Sequence, residues 1–460
     1  MPMKGGLEAV RGFSASSEPR AVRVPGKARN MHRAAIAPAF ALAAILMAPV
    51  PAAAYDGNSW LSFGPTGEVN PFNSSNPFGT TSSSGYDRSF IREWEANPPR
   101  GYPTLSTANI EATKQALKLY QQIVKDGGWK LLSDRELQPG SSGPAVRALR
   151  ERLRISGHLR EEGHSAESFD YELEKAVKRF QASNGLTPTG IVDKRTLAAL
   201  NVPATARLKQ LKLGLARLQQ HAVSAKKGRY VVVNIPAAQI EAVENDKVVT
   251  RYSGVVGKPE RKTPELTSSI HEMNFNPVWR LPPTVVTQDL IPKGRQMQKS
   301  GKDVLVKYGI DAYDGSGRKL NPEKINWASS QPWTLSYSQQ PGKDNPLGFL
   351  KINFNNEYSV YMHDTPSEGL FGRNFRAASS GCIRVQNIEH LASWLLRDQD
   401  MGRSDIEALK KSGDRKDVRL KKPVPLHFVY ITAWATADGV VQFRRDLYNK
   451  DGVGDTASAY

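Results

Sequence analysis

One cysteine in 460 residues, Cys382, leaves no partner for an internal disulfide and too few thiolates for a thiolate zinc site. Acidic side chains are also scarce: 45 Asp and Glu face 63 Lys and Arg, for a formal charge of +18. The basic excess is spread along the chain without a finger or RNP pattern, so no nucleic-acid partner is expected. A solvated surface kept away from neutrality accounts for it, or attraction to some other polyanion. The apolar run at 34–50 is short for a membrane span and holds Pro38 and Pro49. His32 and Arg33 precede it, and Ala52-Ala53-Ala54 follows as a small-residue cleavage site before Tyr55. That layout reads as a secretory signal over residues 1–54, with Met31 as the candidate true start. An uncleaved anchor is the alternative, and it would be the only membrane contact. What is present is enough apolar material for packed cores, 39% of the chain, and length for two or three domains.

Residues 55–85, rich in Asn, Ser, Gly and Pro, read as a flexible lead-in. Residues 86–136 read as a helical scaffold segment, with Ile110, Ala116, Leu117, Tyr120 and Ile123 near helical spacing and Gly127-Gly128 as the stop. Residues 137–203 form a three-helix unit. Val146, Leu149 and Leu153 mark its first helix; Leu173, Ala176, Val177 and Phe180 mark a second, capped by Asp170; residues 196–200 supply the third. A linking helix falls within 204–227, and 451–460 is a tail. From 228 to 450 the texture is β, with a hairpin around Asn245-Asp246 and strands expected at 255–257, 268–275, 347–354, 357–363, 426–433 and 440–444. Between 286 and 335 strand signals are weak over a length no ordinary loop reaches, which predicts a lid or inserted subdomain. The expected class is multidomain α+β, with a mostly β, sandwich-like domain beside the small helical one.

The chemistry is concentrated in Tyr361-Met362-His363-Asp364-Thr365 and in Arg376 through Arg384. Alternation over 357–363 predicts Ser359, Tyr361 and His363 on one strand face, with His363 at the strand end. Cys382 follows Gly381 in a turn of small residues. It lies outside the apolar stripe of the next helix, Ile388, Leu391, Ala392, Leu395 and Leu396. A lone cysteine is either a buried bystander, which composition alone favours, or a reactive thiol. A thiol is mostly protonated at neutral pH, and a histidine in reach can take its proton and return it to a leaving amine. The N–H groups of Gly381 and Cys382 could face a developing oxyanion. Arg384 could bind a substrate carboxylate bidentately, and Ser379, Ser380, Thr365, Tyr361 and Arg376 are further candidate substrate contacts.

His363-x-Thr365 followed by Ser379-x-Gly381-Cys382-Ile383-Arg384 resembles the active-site signature of the L,D-transpeptidases. The resemblance extends over Val256-Gly257-Lys258, Thr263-Pro264, Phe275-Asn276-Pro277-x-Trp279 and Pro282-Pro283. It continues in Pro341-Gly342-x-x-Asn345-x-Leu347-Gly348, Tyr430-x-Thr432-Ala433-Trp434 and Asp446-x-Tyr448. The stretch from Ala176 to Gly190 is similar to the small peptidoglycan-binding module. Together these look like the large, multidomain Gram-negative branch of the family, with a lid insertion. The resemblance implies a periplasmic enzyme. Cys382 would attack the L-centre carbonyl of diaminopimelate in a donor tetrapeptide stem, with His363 as base and then acid. The Asp364 carbonyl would orient the ring, and Gly381 and Cys382 would supply the oxyanion donors. The thioester would pass to an amine of an acceptor stem, with no metal, ATP or other cofactor. Other cell-wall enzymes are candidate partners.

Many members have Gly after the His and His before the Gly-Cys pair; here Asp364 and Ser380 stand there. The same nucleophile could serve an L,D-carboxypeptidase, a D-amino-acid exchange or a lipoprotein-anchoring activity. A wall-binding scaffold with an inactive catalytic fold is the alternative of another class, against which the intact Cys382, His363, Gly381 and Arg384 stand.

Overall fold

The computed structural model describes residues 102–453 except 134, 161–164 and 223–227. The signal expected at 1–54, the lead-in at 55–85, the start of the 86–136 segment and most of the 451–460 tail lie outside the described residues. Apolar spacing sets the helices. In α1 (Ala108–Lys125) it buries Ala116, Tyr120 and Ile123 along one face. The helices α2 (Pro144–Ile155), α3 (Tyr171–Ser183) and α4 (Lys194–Leu200) enclose a core of their own from Val146, Leu149, Leu153, Leu173, Phe180 and Leu200. Asp170 and Asp193 start α3 and α4 by accepting the Leu173 and Thr196 N–H groups at 2.9 and 2.8 Å, which satisfies donors that have no partner in the first turn. The long α5 (Ala204–His221) packs beside α1 and shares its core.

The sheet begins with β1 (Arg229–Asn234), β2 (Gln239–Glu244), β3 (Lys247–Gly257) and β4 (Leu266–Phe275). Between its polar ends β1 is apolar from Tyr230 to Val233 because both its faces are covered. Val231 and Val233 enter the main core, while Tyr230 and Val232 meet Leu105, Leu218 and Trp434 on the other side.

Residues 279–339 build a separate body on this frame. The short strands β5 (Trp279–Arg280), β6 (Ile310–Tyr313) and β7 (Ser336–Gln339) pair in the order β5-β7-β6. With α6 (Ile291–Lys299) and α7 (Val304–Tyr308) they enclose Val286, Leu290, Ile291, Val304, Leu305 and Trp327. The body is wider than residues 286–335 because its two flanking strands come from either side of that stretch.

The large sheet resumes with β8 (Leu350–Phe354), β9 (Met362–His363), β10 (Ala377–Ser379) and β11 (Ile383–Val385). The helices α8 (Ile388–Leu396) and α9 (Arg403–Ser412) follow, then β12 (Lys416–Val429). The order is β10-β3-β11-β9-β8-β4-β12-β1-β2, and β3 also pairs β2, so the ladder returns on itself. Among the described residues the last two strands form a small hairpin, β13 (Ala433–Ala435) and β14 (Val441–Phe443).

One strand expectation is corrected. Only Met362–His363 is strand in the stretch 357–363. Asn356 folds the preceding residues into a turn: its Oδ1 accepts the Tyr358 and Val360 N–H groups, each at 3.1 Å, and its Nδ2 donates to the Val360 carbonyl at 2.8 Å. Ser359 sits inside that turn at φ +56° and shares no strand face with His363.

Candidate active site

The strand register creates the site. Lys351 on β8 lies opposite His363 on β9, which lies opposite Arg384 on β11. Residues paired across a sheet point to one face, so the three form a row. The intervening residues Leu350, Ile352, Met362, Ile383 and Val385 point the other way and are fully buried against α8. The apolar half of each strand thus anchors the polar half. Cys382 stands two residues before Arg384, in the turn leading into β11.

His363 is buried, and its Nδ1–H donates to the Asp364 carbonyl at 2.5 Å. That bond fixes the tautomer and leaves the Nε2 lone pair available. Burial pushes the imidazole down to about 3, and the Arg384 and Lys351 charges push the same way against hydrogen bonds to the Asp364 and Pro346 carbonyls. Burial also raises the Cys382 thiol above its ordinary 9. Hydrogen bonds from the Tyr361 backbone and phenol oppose that rise, as do the charges of Lys351 and Arg384. At pH 7 both groups are therefore neutral, a thiol beside an imidazole. The Tyr361 ring meets the His363 ring edge-on at 5.6 Å and lies under the Lys351 ammonium at 4.6 Å.

The turn before Cys382 is held by its own small residues. Gly381 has φ +116°, a conformation that L side chains rarely adopt. Ser379 Oγ donates to the Cys382 carbonyl at 2.6 Å and accepts the Gly381 N–H at 3.1 Å. This corrects two expectations. Ser379 is buried and braces the turn instead of facing a substrate, and the Gly381 N–H is already engaged. Among the described residues the Cys382 N–H has no hydrogen-bond partner.

The Gly381 carbonyl is held from outside the site. Thr263 Oγ1 donates to it at 2.8 Å and accepts the Gly257 N–H at 2.9 Å. The Thr263 N–H donates to Tyr448 Oη at 3.1 Å, and that hydroxyl donates to the Gly257 carbonyl at 2.7 Å. Tyr430 Oη accepts the Tyr448 N–H at 2.7 Å and donates to Asp446 at 2.6 Å. Gly257 must lack a side chain, because a Cβ there would lie 2.2 Å from the Arg261 carbonyl. The sequence marked these residues as motif pieces without a task, and they turn out to form one buried chain ending on the Gly381–Cys382 turn. Thr263→Val keeps the shape and removes both hydroxyl bonds. It is expected to slow acyl transfer about tenfold while costing roughly 1–3 kcal/mol of stability, checked by turnover beside thermal melting.

The remaining candidates divide. Arg384 Nη1 donates to Thr365 Oγ1 at 3.1 Å, while its buried Nε has no partner. Thr365 is buried, so it positions Arg384 and is itself withdrawn from substrate. Ser380 is exposed and accepts from Arg261 Nη1 at 2.8 Å. Both Arg261 terminal nitrogens also bind Asp289 of the inserted body, at 2.5 and 2.9 Å. Arg376 departs from expectation. It donates to the Gly254, Arg373 and Ala237 carbonyls at 3.2, 3.0 and 3.0 Å, so it clamps loops together. Just before it, Asn374 Oδ1 accepts from the Thr187 N–H and hydroxyl at 3.1 and 2.9 Å, which ties the three-helix unit to the loop leading to the site. Lys351 was not singled out in the sequence. Among the described residues no group of His, Cys, Asp and Glu gathers as a metal site.

Residues 228–423 match the YkuD family, the L,D-transpeptidase catalytic domain, and residues 142–200 match the peptidoglycan binding domain. A Haemophilus influenzae protein named as an L,D-transpeptidase is 28% identical over 221 residues, covering 48% of this chain and 44% of that protein. The chain thus spans less than half the length of that relative. Among solved structures, an L,D-transpeptidase from Xylanimonas cellulosilytica is 16% identical and covers 65% of this chain and 98% of its own, with a TM-score of 0.22. One from Mycobacterium smegmatis is also 16% identical and covers 45% of this chain and 60% of its own, with a TM-score of 0.21. The large sheet, from Arg229 to Val429, falls almost wholly within the stretch that matches the L,D-transpeptidase catalytic domain, which supports an L,D-transpeptidase enzyme.

Proposed function

We propose that the protein is an exported, periplasmic enzyme that cross-links peptidoglycan stems through an acyl-enzyme on Cys382. The observation that supports this best is the row in which His363, its Nδ1 tied to the Asp364 carbonyl, lies on the strand paired with β11, directly after Cys382. The neutral thiol attacks the L-centre carbonyl of diaminopimelate in a tetrapeptide stem while His363 Nε2 takes its proton. The Cys382 N–H faces the oxyanion. His363 then protonates the departing D-alanine, leaving a thioester. An amine of a second stem attacks that thioester, the C–S bond breaks, and sulfur regains its proton through His363. The bond broken and the bond made are both amides, so the exchange is near balance. The three-helix unit, fastened to the loop before Arg376, keeps the wall polymer beside the site.

Incubation with tetrapeptide-containing muropeptides, followed by mass analysis, tests the reading. Dimers joined between two diaminopimelate residues, with equimolar D-alanine, are expected. Tripeptides alone would make water the acceptor and overturn the cross-linking assignment.

A further inference from the structure

The inserted body and the large sheet enclose an open crevice of about 880 Å³. Trp279, Arg280 and Tyr337 line it from one side, and Lys351, Tyr361 and Asp417 from the other. Lys351 makes no hydrogen bond or ion pair among the described residues, although it is partly buried. Both nearby carboxylates are taken. Glu272 accepts from the Asn274 and Asn353 amides at 3.0 and 3.3 Å and from Arg419 at 3.4 Å, and Asp417 accepts from Asn274 at 2.7 Å. The ammonium, partly withdrawn from water, thus lies over the Tyr361 ring at 4.6 Å with no direct ion pair, and an anion reaching it would form a charge-assisted contact. Its row neighbour is His363, and its charge acts on the Cys382 sulfur. The anion that occupies it therefore lies beside the reacting centre.

We propose that Lys351 binds the acceptor's carboxylate: the crevice takes an amine whose own carbon bears a free carboxylate, as the D-centre of diaminopimelate does, and discriminates against the carboxamide. This rests on the acyl-enzyme reading of Cys382. Carboxylate and amine share one carbon, so the Lys351 contact holds the amine next to the thioester. The neutral amine attacks the thioester carbonyl. The C–N bond forms as the C–S bond breaks, and the amine proton passes through His363 to the Cys382 sulfur. Arg384 lies across the row on the far side of His363, so the two cations are placed for carboxylates of different stems.

The test keeps the donor tetrapeptide fixed and varies the acceptor. Two diaminopimelate tripeptide stems are compared, one with a free D-centre carboxylate and one with the carboxamide. The wild-type protein is expected to prefer the free acid about tenfold in kcat/KM, mostly through KM, as losing a charge-assisted bond predicts. Lys351→Gln should bring the ratio to about two, and Lys351→Arg should retain most of the preference. A wild-type ratio near one overturns the proposal without any variant, as does a Lys351→Gln ratio equal to the wild type's. Release of D-alanine by the wild-type protein is followed alongside. If it is absent, the acyl-enzyme reading fails. If it is present with no acid preference, only the role of Lys351 fails.

Discussion

Cys382→Ala is expected to abolish covalent capture of a carbapenem and to lower D-alanine release from tetrapeptide stems by at least about 10⁴-fold. The size of the effect follows from the site's composition. No other thiol exists in the chain. The remaining hydroxyl next to the turn, on Ser380, is exposed and bonded to Arg261. The buried one, on Ser379, is spent on the turn itself. Neither can replace the sulfur. The fold should hold: Cys382 only borders the main core, so trimming it to alanine is expected to cost no more than about 1 kcal/mol. Intact-protein mass after carbapenem exposure, with a thermal melt of the same sample, separates the two effects. A variant that melts like the wild type and shows no adduct supports Cys382 as nucleophile, and an adduct on the variant would refute it.

The sequence carries the candidate pair Cys382 and His363 and the helical faces because each depends on short-range signals. Phe180 and Leu173 follow helical spacing, and Gly381-Cys382 stands out as a small-residue turn. What sequence cannot carry is register. Lys351 joins the row only because β8 aligns it with His363, and a slip of one residue would bury it and expose Leu350 or Ile352 instead. The same limit hid the task of Thr263 and Tyr448: Thr263 meets Gly381 across 118 residues, and Tyr448 meets Thr263 across 185. The strand expected from Glu357 failed for a local reason, since alternation counts side chains and not the turn that Asn356 imposes. The Gly381 N–H was misassigned because a serine two residues earlier competes for it. Arg376 looked like a substrate contact for the same kind of reason: an arginine beside an active site is equally suited to bridging carbonyls.

His363→Asn is expected to slow acylation by about 10²–10⁴-fold at pH 7, and the deficit should shrink as pH rises. Asparagine can keep a donor toward the Asp364 carbonyl but cannot accept a proton, so geometry is spared and the base is lost. The pH dependence follows from the two neutral groups. The thiol is raised above 9, so the thiolate is at most about one part in a hundred at pH 7. Without a base only that fraction reacts, and it grows about tenfold per unit up to the thiol's own pKa. The wild-type protein does not depend on preformed thiolate. Its imidazole stays unprotonated until about pH 3, so its acylation rate should be nearly level from pH 5 to 8 instead of falling below 6.5. Single-turnover D-alanine release across pH 5–9 reads both profiles. A deficit that stays constant over that range would make His363 a structural residue. A wild-type limb near 6.5 would instead show that the imidazole is not held neutral by burial and by the flanking charges of Arg384 and Lys351.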